Sequence, residues 1–212
     1  EGMEILNAAK IVKGNGNEIL AKRLAEDHPP DLFQANAGDV RAFLEKNPGK
    51  LASLDGFFDR NKLRAVVLPE ILKAITVNGK IYSMPVSVHR SNSLFFNKEV
   101  MVAYNVDPPT SVEGFLDACK KLKAAGVIPV ATAYQGWIQR LMFNSLAMGV
   151  MGARHFNDYF AGIGPRDDES LRKAIDVYDE VLLNYVNKDD GNPNFGWTNA
   201  AELMYSGKAA MY

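Results

Sequence analysis

Apolar residues spaced three and four positions apart predict amphipathic helices along the chain. The most regular stripe lies near the carboxyl end and consists of Leu171, Ile175, Tyr178, Leu182 and Tyr185. Another stripe follows Thr110 and Glu113, whose spacing is that of a capping box. Its apolar residues are Val112, Phe115, Leu116, Cys119 and Leu122. Gly126 is predicted to cap the end of this helix.

Further helices are predicted from their start signals. One begins near Trp137, and its expected buried face is Ile138, Leu141, Met142, Ser145, Leu146 and Gly149. Asn17 is expected to cap a helix that extends to about Asp27. Asp39 is expected to cap another, with Val40, Phe43 and Leu44 on its apolar side. A last short helix is predicted after Asn199.

Extended apolar runs predict strands between these helices. The runs are residues 82–88, 93–96, 128–133 and 209–212. Residues 93–96, the helix after Thr110 and residues 128–133 follow one another along the chain. This strand, helix, strand order favours parallel pairing and therefore predicts an α/β fold.

The two ends of the sequence look interrupted. A strand that opens at residues 209–212 needs a sheet around it, and residues 1–6 look helical without a visible C-cap. We therefore expect the 212 residues to be a portion of a longer chain, and one interpretation places a missing internal stretch near Leu6.

Composition and charge narrow the class of partner. The 47% hydrophobic and 23% charged residues are ordinary for a globular chain. The balance of 24 basic and 25 acidic residues does not favour a polyanion as partner, and because nucleic-acid binding needs a basic face, it argues against a nucleic-acid partner. Cys119 is the single cysteine and is expected to be a small core residue. No signal peptide opens the given sequence, and a mature or trimmed product would look the same. No apolar run approaches the roughly 20 residues that a membrane span needs.

Polar residues interrupt the sequence between the strands predicted at residues 82–88 and 93–96. His89, Arg90 and Asn92 lie in this interruption, which lacks the signals of a hairpin turn. We expect the chain to cross here from one structural unit to the next. If the crossing lines a cleft, these side chains can bind ligand hydroxyls; if not, Arg90 pairs with a carboxylate and His89 caps a loop.

Two other sites carry candidate ligand groups. Gln34 and Asn36 share one side of a short strand predicted after Pro30, and their carboxamides suit hydroxyl ligands, although they could equally satisfy loop backbone. Trp137 follows Gly136 in the first turn of its helix, where the indole either faces a cleft or packs half-buried.

Motifs for cofactors and metals are weak or absent. Gly14 and Gly16 precede a predicted helix, but Ile19 replaces the third glycine of a dinucleotide-binding turn. The three histidines lie too far apart in the sequence to indicate a zinc site; they are His28, His89 and His155. Residues 188–192 lack the alternating spacing of a calcium loop. We predict no cofactor and no metal.

Residues 79–98 resemble the hinge-crossing segment of the extracellular solute-binding proteins of sugar ABC transporters. The shared positions are Tyr82, Pro85, Phe95, Phe96, Asn97 and Lys98. Through the pair His89-Arg90 the segment looks most like the glucose/galactose-binding branch, and more distantly like maltose-binding protein. The resemblance extends from about Asn7 to Tyr212.

This resemblance implies a bilobal α/β fold of the type II periplasmic-binding-protein class, whose lobes close on a ligand by hinge motion. Residues 1–88 would be part of the first lobe and residues 89–212 part of the second, with the crossing near residues 88–91. It also implies a monomer that binds a neutral mono- or oligosaccharide and delivers it to the membrane permease subunits of an ABC importer. Such a protein is periplasmic, or extracellular and membrane-anchored.

The resemblance also implies site residues. Residues 30–34 look like the family's proline-aspartate-x-phenylalanine-glutamine strand, in which the glutamine and a residue two positions further bind sugar. Asn36 replaces the histidine of the glucose branch, which leaves the particular sugar open. The family has a ligand-binding polar residue at the place of His89 and a sugar-stacking aromatic after the strand that precedes Trp137. The predicted ligand-binding residues are Gln34, Asn36, His89, Asn92, Trp137 and Arg90.

A carbohydrate-active enzyme of α/β fold is the alternative. Such an enzyme needs two carboxylates roughly 5–10 Å apart across its cleft, and none of the segments predicted to line the cleft contains such a pair. A scaffold protein has little support, because charge is dispersed and no repeat is present.

Overall fold

The computed structural model describes residues 16–90, 92–188, 191–192 and 194–212. The chain divides into two compact units, of which the first ends at Val88 and the second begins at His89. Each unit has its own apolar core. Within the described residues no helix has the length and apolarity needed to cross a bilayer.

The first unit is mainly helical. Its helices are α1 (Gly16–Ala25), α2 (Ala37–Lys46), α3 (Asp55–Arg60) and α4 (Pro69–Ile75), with a 3-10 helix at Leu63–Ala65. After α4, strand β1 (Thr76–Val77) pairs antiparallel with β2 (Lys80–Ile81). The turn residues Asn78 and Gly79 have φ values of 50° and 78°, as a type I′ hairpin turn requires.

The core of the first unit is small. Phe58 of α3, Ile75 of α4 and Ile81 of β2 are buried together, and Leu54, Leu63, Val67 and Leu72 pack around them. The backbone N–H of Leu54 donates to the carbonyl of Ile81 at 2.7 Å. This bond ties the start of α3 to the hairpin.

Three predictions for the first unit need correction. The structure has no strand at residues 31–36, and residues 82–88 form no ladder, with Val86 93% exposed. The apolar runs are there, but a strand also needs a partner for its backbone hydrogen bonds. Helix α2 begins after Asn36, so Asn36 and not Asp39 is its N-cap. Helix α1 covers most of its predicted range, and the capping role of Asn17 lies outside the described side chains.

The second unit combines six helices with a short sheet in the part that the structure describes. The helices are α5 (Lys98–Ala103), α6 (Val112–Ala124), α7 (Gly136–Met151), α8 (Ala153–Phe160), α9 (Glu169–Asn184) and α10 (Trp197–Tyr205). Strands β3 (Ile128–Val130) and β4 (Ala209–Met211) are parallel, with Val130 opposite Met211. Val186 adds a parallel bridge to Val130.

The predicted parallel pair has the wrong partners. Residues 93–96 do not pair with β3, because β4 lies between them and bonds to both. Phe96 forms an antiparallel bridge to Met211. Phe95 and Tyr212 exchange both backbone hydrogen bonds, at 2.8 and 2.9 Å. The α/β class is right, and the sheet is mixed, with the parallel pair between β3 and β4.

Local capping explains where the helices begin and end. The Oγ of Ser111, and not that of Thr110, caps α6 by accepting the N–H of Gly114 at 3.0 Å. At the other end, Gly126 has a φ of 80°, and the N–H of Val127 donates to the carbonyl of Leu122, which is the Schellman arrangement. Helix α10 begins before Asn199, whose Oδ1 accepts the N–H of Gly196 at 3.0 Å.

Small side chains set the contact between α7 and α9. Ala147 and Ala174 are fully buried there, with Met151 beside them. The stripe of α9 is therefore shifted from the predicted one, since Ala174 is buried while Ile175 is 42% exposed. The predicted buried face of α7 is also wrong in part. Among the residues predicted for that face, Ile138 alone is buried.

Cys119 lies in the main core of the second unit, as predicted. Its side chain is fully buried beside Leu122, Val181 and Met211. Burial raises the pKa of this thiol to about 12, so it is a protonated packing group at neutral pH.

Candidate functional site

The predicted ligand-binding residues are distributed over both units. Gln34 and Asn36 belong to the unit that ends at Val88. The other four belong to the unit that begins at His89, and they are His89, Arg90, Asn92 and Trp137. All six side chains are exposed.

In the first unit, Gln34 and Asn36 lie on the segment that leads into α2. The ring of Phe33 packs on that of Phe43 in α2, with 4.9 Å between their centroids, which anchors the segment. Asn36 has extended backbone and makes no side-chain cap bond; its Nδ2 donates instead to Oδ2 of Asp39 at 3.2 Å. Gln34 therefore projects from an anchored segment, although the predicted strand is absent.

In the second unit, the crossing residues lead into the sheet. His89, Arg90 and Asn92 are exposed, and they are followed in the chain by residues 95–97, which pair with residues 210–212. The Nδ2 of Asn92 lies 4.0 Å from Sδ of Met148 on α7. Asn92 is therefore close to the same helix that carries Trp137.

Trp137 lies in the first turn of α7, as predicted. Its side chain is 49% exposed, and the preceding Gln135 has extended backbone as N-cap. The helix is reached from β3 by residues 131–135, at the carboxyl end of the parallel pair. In open parallel sheets this end is where ligands bind.

A polar network holds the loop between β3 and Trp137. The Oδ1 of Asn187 accepts the N–H of Thr132 at 2.7 Å, and Oη of Tyr134 donates to the carbonyl of Asn187 at 2.8 Å. The Nε2 of Gln139 donates to the carbonyl of Ala133 at 2.7 Å. The side chains of Thr132 and Asn187 are buried, so the bond between them is shielded from water, while the bonds of Tyr134 and Gln139 are partly buried.

Gln139 connects the same loop to α9. Its Oε1 accepts the Oη–H of Tyr178 at 2.8 Å, and its Nε2 also lies 3.2 Å from Oγ1 of Thr132. Burial raises the pKa of Tyr178 above its ordinary value of 10.0, so its hydroxyl is protonated at neutral pH and can donate this bond. The sequence analysis did not predict this network, because the network joins residues that are far apart in the chain. Its one local signal is the polar pair Thr132 and Tyr134, which follows an apolar strand.

A cavity of about 730 Å³ opens beside the sheet of the second unit. Its walls include the face of α7 that sequence reasoning predicts to be buried, namely Ile138, Leu141, Met142, Ser145, Leu146 and Gly149. Arg90 and Asn92 also line it. Ser145 uses its hydroxyl within the helix, donating to the carbonyl of Leu141 at 2.8 Å.

Titratable groups elsewhere in the second unit have structural roles. Asp168 caps α9 by accepting the N–H of Leu171 at 3.0 Å, and it also accepts from Ser170 and lies 2.6 Å from Nε2 of His155. These hydrogen bonds, that of Ser170 first, lower the pKa of Asp168 to about 2. Among the described residues, no three His, Cys, Asp or Glu side chains group as metal ligands would.

Comparison with known proteins gives the family. The sequence profile of the family described as bacterial extracellular solute-binding protein matches residues 13–212. An ABC transporter extracellular-binding protein of Pyrococcus horikoshii is 26% identical over 96% of this chain and 46% of its own length. A protein of Mesorhizobium japonicum described as a probable sugar-binding periplasmic protein is 32% identical over 67% of this chain and 34% of its own length.

A solved structure has the same fold. The structure of a chitin oligosaccharide binding protein superposes with a TM-score of 0.72 at 27% identity, covering 92% of this chain and 48% of its own. The chain thus spans about half the length of this protein and of the Pyrococcus relative. Since the profile matches nearly the whole sequence, the chain belongs to the bacterial extracellular solute-binding protein family.

Proposed function

We propose that the full-length protein is the substrate-binding component of an ABC-type sugar importer. It binds a neutral mono- or oligosaccharide and delivers it to the membrane permease. The family membership and the names of the relatives support the class of function. In this proposal the two compact units are parts of the two lobes. Gln34 and Asn36 contribute ligand groups from the first unit, and His89 and Trp137 contribute them from the second.

Trp137 carries the proposal. A half-exposed indole in the first turn of α7 presents an apolar ring at the carboxyl end of the parallel pair. The C–H faces of a sugar stack on such a ring while its hydroxyls bond to groups around the edge. The network through Asn187 and Gln139 fixes the loop before the ring, so little ordering cost remains when the ligand binds.

The site chemistry favours binding over turnover. The proposed ligand groups are carboxamides, an imidazole, a guanidinium and an indole, which hydrogen-bond and stack but do not form the carboxylate pair of a glycosidase. The free energy of binding would then shift an open and closed equilibrium. We propose a monomer that acts in the periplasm or at the cell surface, where a membrane permease can receive the sugar.

Calorimetric titration of the full-length protein against monosaccharides and short oligosaccharides tests the proposal. Wild type should bind one of them without consuming it. Trp137→Ala should weaken that binding by about 2 kcal/mol or more, as truncation of a central aromatic anchor does. Its melting temperature should stay close to that of wild type.

Phe160→Ala is the matched control. Phe160 is 55% exposed on α8, which is comparable with Trp137, and it is not a proposed ligand residue. Its truncation should leave affinity unchanged. Consumption of the sugar would select the enzyme alternative, and a large stability loss in Trp137→Ala with unaltered affinity would make Trp137 a packing residue.

A further inference from the structure

A second tryptophan is exposed in the second unit. Trp197 is the first residue of α10, and its side chain is 53% exposed, compared with 49% for Trp137. Tryptophan is highly buried on average, and an exposed indole is typical of a binding surface. Asn199 holds the turn before Trp197 in place, because its Oδ1 accepts the N–H of Gly196 at 3.0 Å. The indole is therefore presented from fixed backbone.

The turns that carry the two tryptophans are neighbours. Gln135 is the N-cap of α7, and Gly196 is the N-cap of α10. A Cβ placed on Gly196 would lie 3.7 Å from Nε2 and 4.0 Å from Oε1 of Gln135. Ile138 and Ala200, which follow within one turn of each helix, are buried in one apolar cluster. Both tryptophans therefore lie at the carboxyl end of β3, where α7 begins.

The surroundings of Trp197 favour a polar ligand with apolar faces over a protein partner. Asn194, Thr198 and Asn199 are exposed beside it, so its indole is not part of a contiguous apolar patch of the kind that a protein partner covers. The side chain of Gln135 is exposed and makes no capping bond in α7. Its carboxamide has the donors and the acceptor that hydroxyl groups require.

The sequence of groups along this edge is an indole, a carboxamide and a second indole. Each ring of an oligosaccharide has an apolar C–H face, which stacks on an indole, and hydroxyls around its edge, which bond to polar side chains. One sugar ring stacked on Trp137 would leave the indole of Trp197 in water. A second ring linked to the first would cover it, so the arrangement has the groups to bind two linked rings.

We propose that Gln135 and Trp197 form a second sugar subsite beside Trp137, and that the ligand of the full-length protein is an oligosaccharide of two or more rings. Trp137 stacks on one ring and Trp197 on the next, while Gln135 hydrogen-bonds a hydroxyl of the second ring. This inference rests on the proposed function, since it takes the ligand of Trp137 to be a sugar.

Calorimetric titration of the full-length protein tests the subsite. The probes are glucose, galactose, xylose and N-acetylglucosamine, together with cellobiose, maltose, melibiose, xylobiose and chitobiose. One disaccharide should bind at least about tenfold more tightly than its constituent monosaccharides. Trp197→Ala should weaken this binding at least about tenfold, and its effect on the monosaccharide should be at least about fivefold smaller. Trp137→Ala should weaken the binding of both.

Two further variants refine the assignment. Gln135→Ala should weaken the disaccharide about five- to tenfold, because one hydroxyl loses its partner. Tyr205→Ala is the matched control, since Tyr205 is a 77% exposed aromatic at the other end of α10. It should change neither affinity.

Hydroxyl-radical footprinting of the wild-type protein supplies a readout that needs no substitution, and it decides the matter if Trp197→Ala does not fold. The oxidation of Trp197, followed by peptide mass mapping, should fall at least about fivefold when the disaccharide saturates the protein, because the second ring covers the indole. The monosaccharide should leave it unchanged, and the oxidation of Tyr205 should be the same in all samples.

The outcomes separate this inference from the proposed function. A monosaccharide that binds as tightly as every disaccharide would overturn the second subsite alone. So would unaltered disaccharide affinity in Trp197→Ala, or a Trp197 that the disaccharide does not protect from oxidation. Consumption of the sugar, or the absence of binding to every probe, would instead contradict the proposed function, and this inference with it.

Discussion

At the scale of single residues, the proposed site combines exposed side chains with a rigid support. Gln34 is exposed on a segment anchored by Phe33, and Trp137 follows a loop fixed by buried hydrogen bonds. Because the backbone beneath these side chains is already fixed, ligand binding has to order the side chains alone, which suits reversible capture of a polar ligand.

We predict that Gln34, Asn36 and His89 each hydrogen-bond the neutral ligand in the full-length protein. Single alanine substitutions should each weaken binding by roughly 1–3 kcal/mol, because a buried ligand hydroxyl loses its partner. Calorimetric titration at several ionic strengths is the measurement. Affinity should change little with salt, since the ligand carries no charge.

Arg90 provides the contrast for this prediction. If the ligand is neutral, Arg90→Ala should cost less than the substitution of His89. A steep decrease of affinity with salt, together with a dominant effect of Arg90→Ala, would indicate an anionic ligand and contradict the sugar proposal.

Asp168 gives a prediction for stability against pH. Its pKa in the folded state is about 2, below the ordinary value of 3.8. The ionised cap therefore stabilises the fold fully above a pH of about 4, and this contribution is lost as pH falls toward 2. In urea titrations of the full-length protein, the stability difference between wild type and Asp168→Asn should shrink through this pH range.

Asp167→Asn is the neighbouring control. Asp167 is an exposed carboxylate that pairs with Arg172, and it does not cap the helix. Its substitution leaves the capping bond of Asp168 in place and therefore serves as the comparison for Asp168→Asn. A difference between wild type and Asp168→Asn that does not vary between about pH 5 and 2.5 would refute the role of the ionised cap.

At the scale of elements, the β3 to α7 connection depends on Gln139. Gln139→Ala should lower the free energy of unfolding by about 1–3 kcal/mol, because buried polar groups of the loop lose their partner. Tyr178→Phe removes a single hydroxyl and should cost about 0.5–1.5 kcal/mol. Denaturant unfolding of the full-length variants measures both.

The double variant decides whether the two side chains act together. They are in direct contact, so the combined loss should be smaller than the sum of the single losses by about 0.5 kcal/mol or more. Strict additivity would mean that Gln139 and Tyr178 contribute independently and that the loop is held in another way.

The sequence predicted the longer elements of the second unit well and their ends less well. The helical spacing of apolar residues predicts α6, α7 and α9, and burial of apolar residues stabilises these helices in the structure. Their first residues are less certain, because adjacent polar residues compete as caps, as Thr110 and Ser111 do. The choice depends on backbone geometry that a residue pattern does not contain.

Strands and the polar network were harder to predict for one shared reason. Both depend on partners distant in the chain, such as the bond between Thr132 and Asn187, or the position of β4 between β3 and Phe96. Residues 82–88 have strand composition but no ladder. By contrast, the place of Trp137 at a helix start follows from local signals, while its contact with sugar stays a prediction.

At the scale of the whole molecule, the two units differ in how much they bury. Among the described residues, the second unit has most of the buried side chains, whereas the first has a core centred on Phe58, Ile75 and Ile81. Small domains bury a smaller fraction of their surface and are marginally stable. The Pyrococcus relative and the chitin oligosaccharide binding protein are about twice as long as this chain.

We therefore predict that residues 1–212 expressed alone will not unfold cooperatively and will not bind sugar. Exposed apolar groups such as Phe95 and Val86 would lack cover, and the proposed ligand groups would then not be held in place. Thermal unfolding of this piece and of the full-length protein, with and without sugar, is the measurement. The full-length protein should gain about 2.7 kcal/mol at a ligand concentration of about 100 Kd, whereas the piece should show a broad transition that sugar does not shift. A sharp, ligand-shifted transition in the piece would show that these residues suffice for folding and for recognition.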